Sequence, residues 1–213
     1  MIKAILWDFG GVLTTSPFEA FNQYEKKKNI PRDFIRGINA TNPKTNAWAK
    51  MESNQISLVE FDREFEEESR SAGHAIPGAD VLSLLAGAVR LEMVNALKKC
   101  KEQFTVGCIT NNMKSDEGSA IPHSKNQKDQ YQAIMELFDE VIESSVEGIR
   151  KPDPEIYKIA LSRLDVKAEE CVFLDDLGVN LKPAKALGMK TIKVLTTEQA
   201  LRELEAYTGL SFG

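Results

Sequence analysis

Three short apolar runs that each stop at polar residues constrain this chain most: AILWD closes on Asp8, FTVGCITNN on Thr110 and Asn111, and CVFLDD on Asp175 and Asp176. An apolar run this short, bounded by turn residues, reads as a strand buried on both faces. Such strands belong to parallel sheets covered by helices. In open sheets of that kind, ligands bind in the crevice beyond the carboxyl ends of the strands, where the strand order reverses. An α/β fold is expected, with its chemistry gathered where these runs end.

The segments between the runs carry helix signals. Ser16-Pro17-Phe18-Glu19 combines an N-cap residue, Pro at the first helical position and an acid at the third, predicting a helix to about Lys28. Leu58, Phe61 and Phe65 at helical spacing predict an amphipathic helix, with Glu64, Glu66, Glu67 and Glu68 as its solvated face. No convincing strand occurs before residue 88, and roughly 70 helical residues far exceed the dozen or so that a crossover needs. Residues 16-88 are therefore expected to form a helical cap inserted into a core of residues 1-15 and 89-213.

A helix from near Val89 to Lys101 leads into a strand from Thr105 to Thr110. The polar stretch from Asn112 to Gln127 is expected as a long functional or mobile loop. Tyr131, Ile134, Met135 and Phe138 predict a helix, and Glu140 to Ile142 a short strand. Asp153-Pro154-Glu155 caps a helix to about Leu164, and Val172 to Leu174 is a strand. Asn180 to Leu187 is a helix stopped by Gly188, Thr191 to Leu195 the last strand, and Thr196 with Gln199 a capping box for a helix ending at Gly209.

With 213 residues, 42% apolar and 28% charged, the chain suits one soluble globular domain with a smaller inserted unit. A net charge of -5 offers no electrostatic footprint for nucleic acid or an anionic membrane. Any phosphate site must be built locally. Cys100, Cys108 and Cys171 contain no CxxC pair and are odd in number, so buried reduced thiols are expected. Asp8 interrupts the first apolar run too early for a signal peptide, and no run approaches membrane-spanning length. The expectation is a cytoplasmic protein, monomeric or homodimeric, whose partner is a small phosphorylated molecule rather than nucleic acid or membrane.

A carboxylate at a strand end can attack phosphorus and form an aspartyl-phosphate. The phosphate dianion repels such an attack, and Mg2+ bound by one or two carboxylates and substrate oxygens removes the obstacle. Asp8, Asp175 and Asp176, with the carbonyl of Gly10, are the candidate metal ligands. The Thr110 hydroxyl, the Asn111 backbone N–H and the Lys151 ammonium are the candidate donors to phosphate. Singly, each of these is an ordinary turn, cap or surface residue. The set, in this order, is what points to phosphoryl transfer.

WDFGGVL around Asp8, ITNN around Thr110, GIRKPDPEIY around Lys151 and VFLDDLGVNLKPAKALGM around Asp175 and Asp176 resemble the motifs of the haloacid dehalogenase superfamily. Its phosphatases, including the amino-terminal phosphatase-like domain of soluble epoxide hydrolases, are the most similar members. The resemblance spans nearly the whole chain and implies a Rossmann-like core, a helical cap between the first two motifs, Mg2+ dependence and Asp8 as nucleophile. It also implies Asp176 as the principal aspartate ligand, with Asp175 beside it or acting through water.

One position departs from the pattern. Most phosphatases of the superfamily carry a second aspartate two residues after the nucleophile, which protonates the leaving group and later activates water; this chain has Gly10 there. The backbone carbonyl survives the change, but loss of a general acid-base costs roughly 10²–10⁴-fold. Asp116, Glu117 and His123 in the polar loop are candidate substitutes. Two other functions use the same residues: a 2-haloacid dehalogenase, in which Asp8 attacks carbon and halide leaves without a proton, and a non-catalytic binding module. Metal-free dehalogenation leaves the Asp175-Asp176 pair without a purpose, and the presence of Asp8, Thr110 and Lys151 together weighs against a module.

Overall fold

The computed structural model describes residues 1–112, 114–115, 118–119 and 125–213. Strand β1 (Ala4–Trp7) leads into five helices, α1 (Phe18–Lys27), α2 (Phe34–Ala40), α3 (Ala47–Glu52), α4 (Leu58–Ser71) and α5 (Gly78–Ser83), and then into α6 (Leu91–Lys101) and β2 (Thr105–Thr110). Two-residue strands β3 (Lys114–Ser115) and β4 (Gly118–Ser119) precede α7 (Lys125–Met135), β5 (Glu140–Glu143), α8 (Ser144–Glu147) and α9 (Pro154–Arg163). Last come β6 (Cys171–Asp175), α10 (Gly178–Ala186), β7 (Lys190–Lys193) and α11 (Thr197–Thr208).

The large sheet has the order β5-β2-β1-β6-β7, and every neighbouring pair is parallel. From β1 the chain builds outward through β2 and β5, then returns to the other side of β1 for β6 and β7. The order therefore reverses at β1, and the crevice beyond its carboxyl end is the switch point. Alternation along β1 explains why its run is apolar throughout. Ile5 and Trp7 enter one layer with Met93 and Leu97 of α6 and Leu204 of α11. Ala4 and Leu6 enter the opposite layer with Tyr157 of α9 and Ala184 of α10.

Helices α1 to α5 bury an apolar cluster of their own, built on Phe21, Ile35, Met51, Phe61, Phe65 and Val81. The chain enters and leaves this block side by side, through an antiparallel bridge between Thr14 and Val89. Thr15 N donates to Ala88 O at 2.8 Å and Arg90 N to Leu13 O at 2.8 Å. A bridge of single residues has no periodicity, so nothing in the sequence announces it.

Several local expectations are corrected. Ser16 does not cap α1: Pro17 occupies the cap position in a right-handed helical conformation without a side-chain cap bond, which leaves the Ser16 hydroxyl for another partner. The Glu19 side chain, and the loop candidates Asp116, Glu117 and His123, lie outside the described residues. The acidic face of α4 is not simply solvated, because Glu68 Oε1 accepts from Ala47 N at 2.9 Å at the start of α3 and Glu64 pairs with Lys50 at 2.8 Å. Within the expected loop, β3 and β4 pair antiparallel and α7 begins at Lys125.

The other caps form as their chemistry predicts, with Asp153 accepting from Glu155 N at 3.0 Å, Thr196 from Gln199 N at 3.2 Å, and Gly209 in the left-handed region after α11. All three cysteines are buried and unpaired. No described helix is long and apolar enough to cross a membrane.

Candidate active site

Sheet register brings the three polar strand ends to one edge. Trp7 pairs with Leu174 on one side and Cys108 on the other, and Asp8 N donates to Leu174 O at 2.8 Å. Asp8 therefore stands beside Asp175, the last residue of β6. Thr110, 5% exposed, ends β2 on its other side.

Lys151 reaches this edge from the loop before α9 and is 1% exposed. Its Nζ lies 2.8 Å from Asp8 Oδ1 and 2.8 Å from Asp175 Oδ2. Burial opposes its charge, but the two carboxylates outweigh burial and hold its pKa above the ordinary lysine value. The ammonium is a fixed cation. Asn111 sets its backbone: Lys151 N donates to Asn111 Oδ1 at 2.8 Å, and Asn111 Nδ2 donates to Lys151 O at 3.0 Å.

Both oxygens of the fully buried Asp175 are occupied. Oδ1 accepts from Leu177 N at 2.8 Å and Asn180 Nδ2 at 3.1 Å, and Oδ2 accepts from Lys151 and from Asn180 Nδ2 at 3.0 Å. Asn180 is in turn anchored by the Tyr157 hydroxyl, which donates to its carbonyl at 2.7 Å. Asp8 is held through one oxygen only: Oδ1 accepts from Phe9 N at 2.7 Å and pairs with Lys151. Among the described residues no donor bonds Oδ2.

Asp176 is less buried, and its Oδ2 accepts from the Ser16 hydroxyl at 3.3 Å. Burial, then the neighbouring Asp175, pushes its carboxyl up to about 6. Burial likewise pushes Asp8 well above the ordinary carboxylate range; Asp175 and Asp176 add to that push, and Lys151 opposes it. The turn after Asp8 passes close to Asp176 only because residue 11 lacks a side chain. Gly11 has φ of +77°, and a Cβ there would lie 2.3 Å from Asp176 Oδ2. At the exposed Gly10, a Cβ would meet nothing within 4 Å.

One oxygen each from Asp8, Asp175 and Asp176 lies within 4.8 Å of the others. Among the described residues, the ammonium of Lys151 is the cation paired with this cluster. Burial first, and the neighbouring carboxylates second, raise the carboxyl pKa values of Asp8 and Asp176. An all-oxygen donor set with excess negative charge fits a hard divalent cation. The buried thiols take no part: burial pushes Cys100 and Cys171 up to about 12 and also raises Cys108.

Sequence reasoning missed Ser16, Asn180 and Tyr157. Asn180, five residues after Asp175 in a segment that turns into a helix, offered the one usable spacing signal. The others reach the site from distant parts of the chain.

A family model described as haloacid dehalogenase-like hydrolase matches residues 2–188. Acyl-CoA dehydrogenase family member 10 of Mus musculus is 34% identical over 97% of this chain and 19% of its own length. Bifunctional epoxide hydrolase 2 of Mus musculus is 31% identical over 99% of this chain and 40% of its own length, so this chain spans less than half of either relative. Sesquiterpene phosphatase astK of Aspergillus oryzae is 26% identical over 97% of both chains. A HAD family enzyme from Bacteroides thetaiotaomicron, solved in complex with magnesium and inorganic phosphate, shares the fold with a TM-score of 0.60 at 19% identity, over 90% of this chain and 93% of its own.

Proposed function

Because this chain belongs to the haloacid dehalogenase-like hydrolase family, we propose that it is a Mg2+-dependent phosphatase that hydrolyses a small phosphorylated metabolite through an aspartyl-phosphate on Asp8. The observation that carries this reading is the buried Asp8, tied through Oδ1 to Phe9 N and Lys151, with Oδ2 unbonded beside Asp175 and Asp176. The sesquiterpene phosphatase that matches along 97% of its length, and the magnesium and phosphate complex of the shared fold, support it.

In the proposed reaction Asp8 Oδ2 bonds to phosphorus as the bond from phosphorus to the leaving oxygen breaks. Water then attacks phosphorus, and inorganic phosphate and the Asp8 carboxylate are released. Lys151, the Thr110 hydroxyl and the Asn111 N–H hold the phosphoryl oxygens. Asp8, Asp175, Asp176 and the Gly10 carbonyl would hold Mg2+, which when bound offsets the repulsion between carboxylate and phosphate. Lys151 opposes the burial that favours a proton on Asp8. The helices of residues 16-88 act as the cap that excludes water from the reacting groups.

The test is release of inorganic phosphate from phosphorylated sugars, acids, lipids and an acyl phosphate, with Mg2+ or with chelator. Release that requires Mg2+ is expected. Release of halide from 2-haloacids, with no phosphate from any compound, would replace this reading with a dehalogenase.

Metal binding also predicts a pH-dependent gain in stability. The folded-state pKa of Asp176, about 6, lies above the ordinary 3.8. Between those values the folded chain binds more protons than the unfolded one, so this group's stabilisation is full below the lower value and lost as pH rises through the upper. Mg2+ at about a hundredfold above its Kd adds roughly 2.7 kcal/mol, or about 5–10 °C in Tm for a chain of this size. Thermal melts should show that rise at pH 7.5 and little of it at pH 5, where protons occupy the same oxygens.

A further inference from the structure

Glu52, the last residue of α3, is 6% exposed and belongs to the helical block rather than to the carboxylate cluster. A buried carboxylate of this kind needs charged or hydrogen-bonding partners. Besides the Trp48 side chain of its own helix, its partners stand on the loops of the sheet edge. Arg150 Nε lies 2.6 Å from Glu52 Oε2, and Asn111 Nδ2 donates to the same oxygen at 3.4 Å. The Glu52 backbone carbonyl accepts from the Ser144 hydroxyl at 2.6 Å, which in turn accepts from Asn112 N at 3.1 Å.

Arg150 also donates through Nη1 to Pro43 O at 3.1 Å, so one guanidinium clasps both ends of the segment that contains α3. The next residue in the chain is Lys151. The amide of Asn111, which reaches Glu52, is the same group that bonds both the N–H and the C=O of Lys151. We propose that Glu52 is a positioning residue: through Arg150 and Asn111 it couples the seating of helices α1 to α5 to the placement of Lys151 between Asp8 and Asp175. When the helical block is seated, Arg150 and Asn111 are pinned and the Lys151 backbone is held. When Glu52 withdraws, both pins loosen together.

The ion pair from Lys50 to Glu64 supplies the contrast, because it joins α3 to α4 inside the block and touches none of these loops. A salt bridge that merely anchored α3 would behave as that pair does. The significance of the coupling rests on Lys151 serving the reacting site, but the coupling itself is measurable without substrate or metal.

The experiment is native-state hydrogen exchange, resolved at single amides, on the full chain and on Glu52→Gln, Arg150→Gln, the double variant and Lys50→Gln. The Lys151 amide is the key probe, since its acceptor is Asn111 Oδ1. Amides of β6 serve as reference, so general destabilisation is divided out. Loss of the Glu52–Arg150 ion pair, which also frees the Asn111 amide, predicts roughly 10- to 100-fold faster exchange at Lys151 relative to β6 in Glu52→Gln and in Arg150→Gln. The double variant should be no faster than the worse single one, the non-additivity expected of residues in one network. Lys50→Gln should quicken exchange in α3 and α4 alone. Faster exchange in α3 with Lys151 unchanged, or additive effects in the double variant, would overturn the coupling. Should phosphate release fail in every assay while Lys151 responds as expected, the coupling would stand and only the phosphatase reading would fall.

Discussion

Asp8→Asn is expected to reduce phosphate release by roughly 10⁴–10⁶-fold, the scale of losing a covalent nucleophile. The substitution leaves the surroundings intact. An asparagine keeps the carbonyl oxygen that accepts from Phe9 N, and Lys151 retains its 2.8 Å contact with Asp175. One negative charge leaves a crowded buried cluster, so Tm should not fall. Inorganic phosphate should still protect the variant in thermal melts, because Thr110, Asn111 and Lys151 are unchanged. Turnover within tenfold of wild type would remove Asp8 from the nucleophile role while leaving the metal question open. Loss of both turnover and phosphate protection would mean that the site had been disturbed rather than disarmed.

Gly10→Asp is expected to raise turnover, by as much as roughly 10²–10⁴-fold, for substrates whose leaving oxygen needs a proton. Sugar and lipid phosphates should gain most and an acyl phosphate least, since its leaving carboxylate is stable without protonation. The structure accommodates the change. Gly10 is exposed, and a side chain there begins in open space, whereas one at neighbouring Gly11 would collide with Asp176. Gly10→Asn supplies the control, with nearly the same shape and no proton to give. An equal gain in Gly10→Asn would assign the effect to contacts rather than proton transfer. No gain in Gly10→Asp would mean that protonation of the leaving group does not limit this enzyme.

Both predictions concern positions that were legible in the sequence but whose surroundings were not. Asp8 reads as a strand-end carboxylate from its neighbours alone. That, among the described residues, only its Oδ1 is tied, to Phe9 N and Lys151, depends on a lysine far along the chain. Asn111 was legible as a backbone donor after β2, yet its amide spends both polar atoms on the backbone of Lys151, 40 residues away. Ser16 shows how a local rule is overruled: its position before Pro17 suits an N-cap, and its hydroxyl instead meets Asp176, 160 residues on.

The sequence by itself determined that this chain builds a parallel α/β core with polar groups at the ends of β1, β2 and β6. Apolar runs, turn residues and helix caps act over a few residues, so their information is local and survives without coordinates. The tertiary structure alone decided that Lys151 sits between Asp8 and Asp175, that Gly11 passes against Asp176, and that Glu52 clasps Arg150. Those contacts follow from the strand order and from how the helical block seats on the sheet edge. Both are set by the summed packing of the whole chain, which no local pattern encodes.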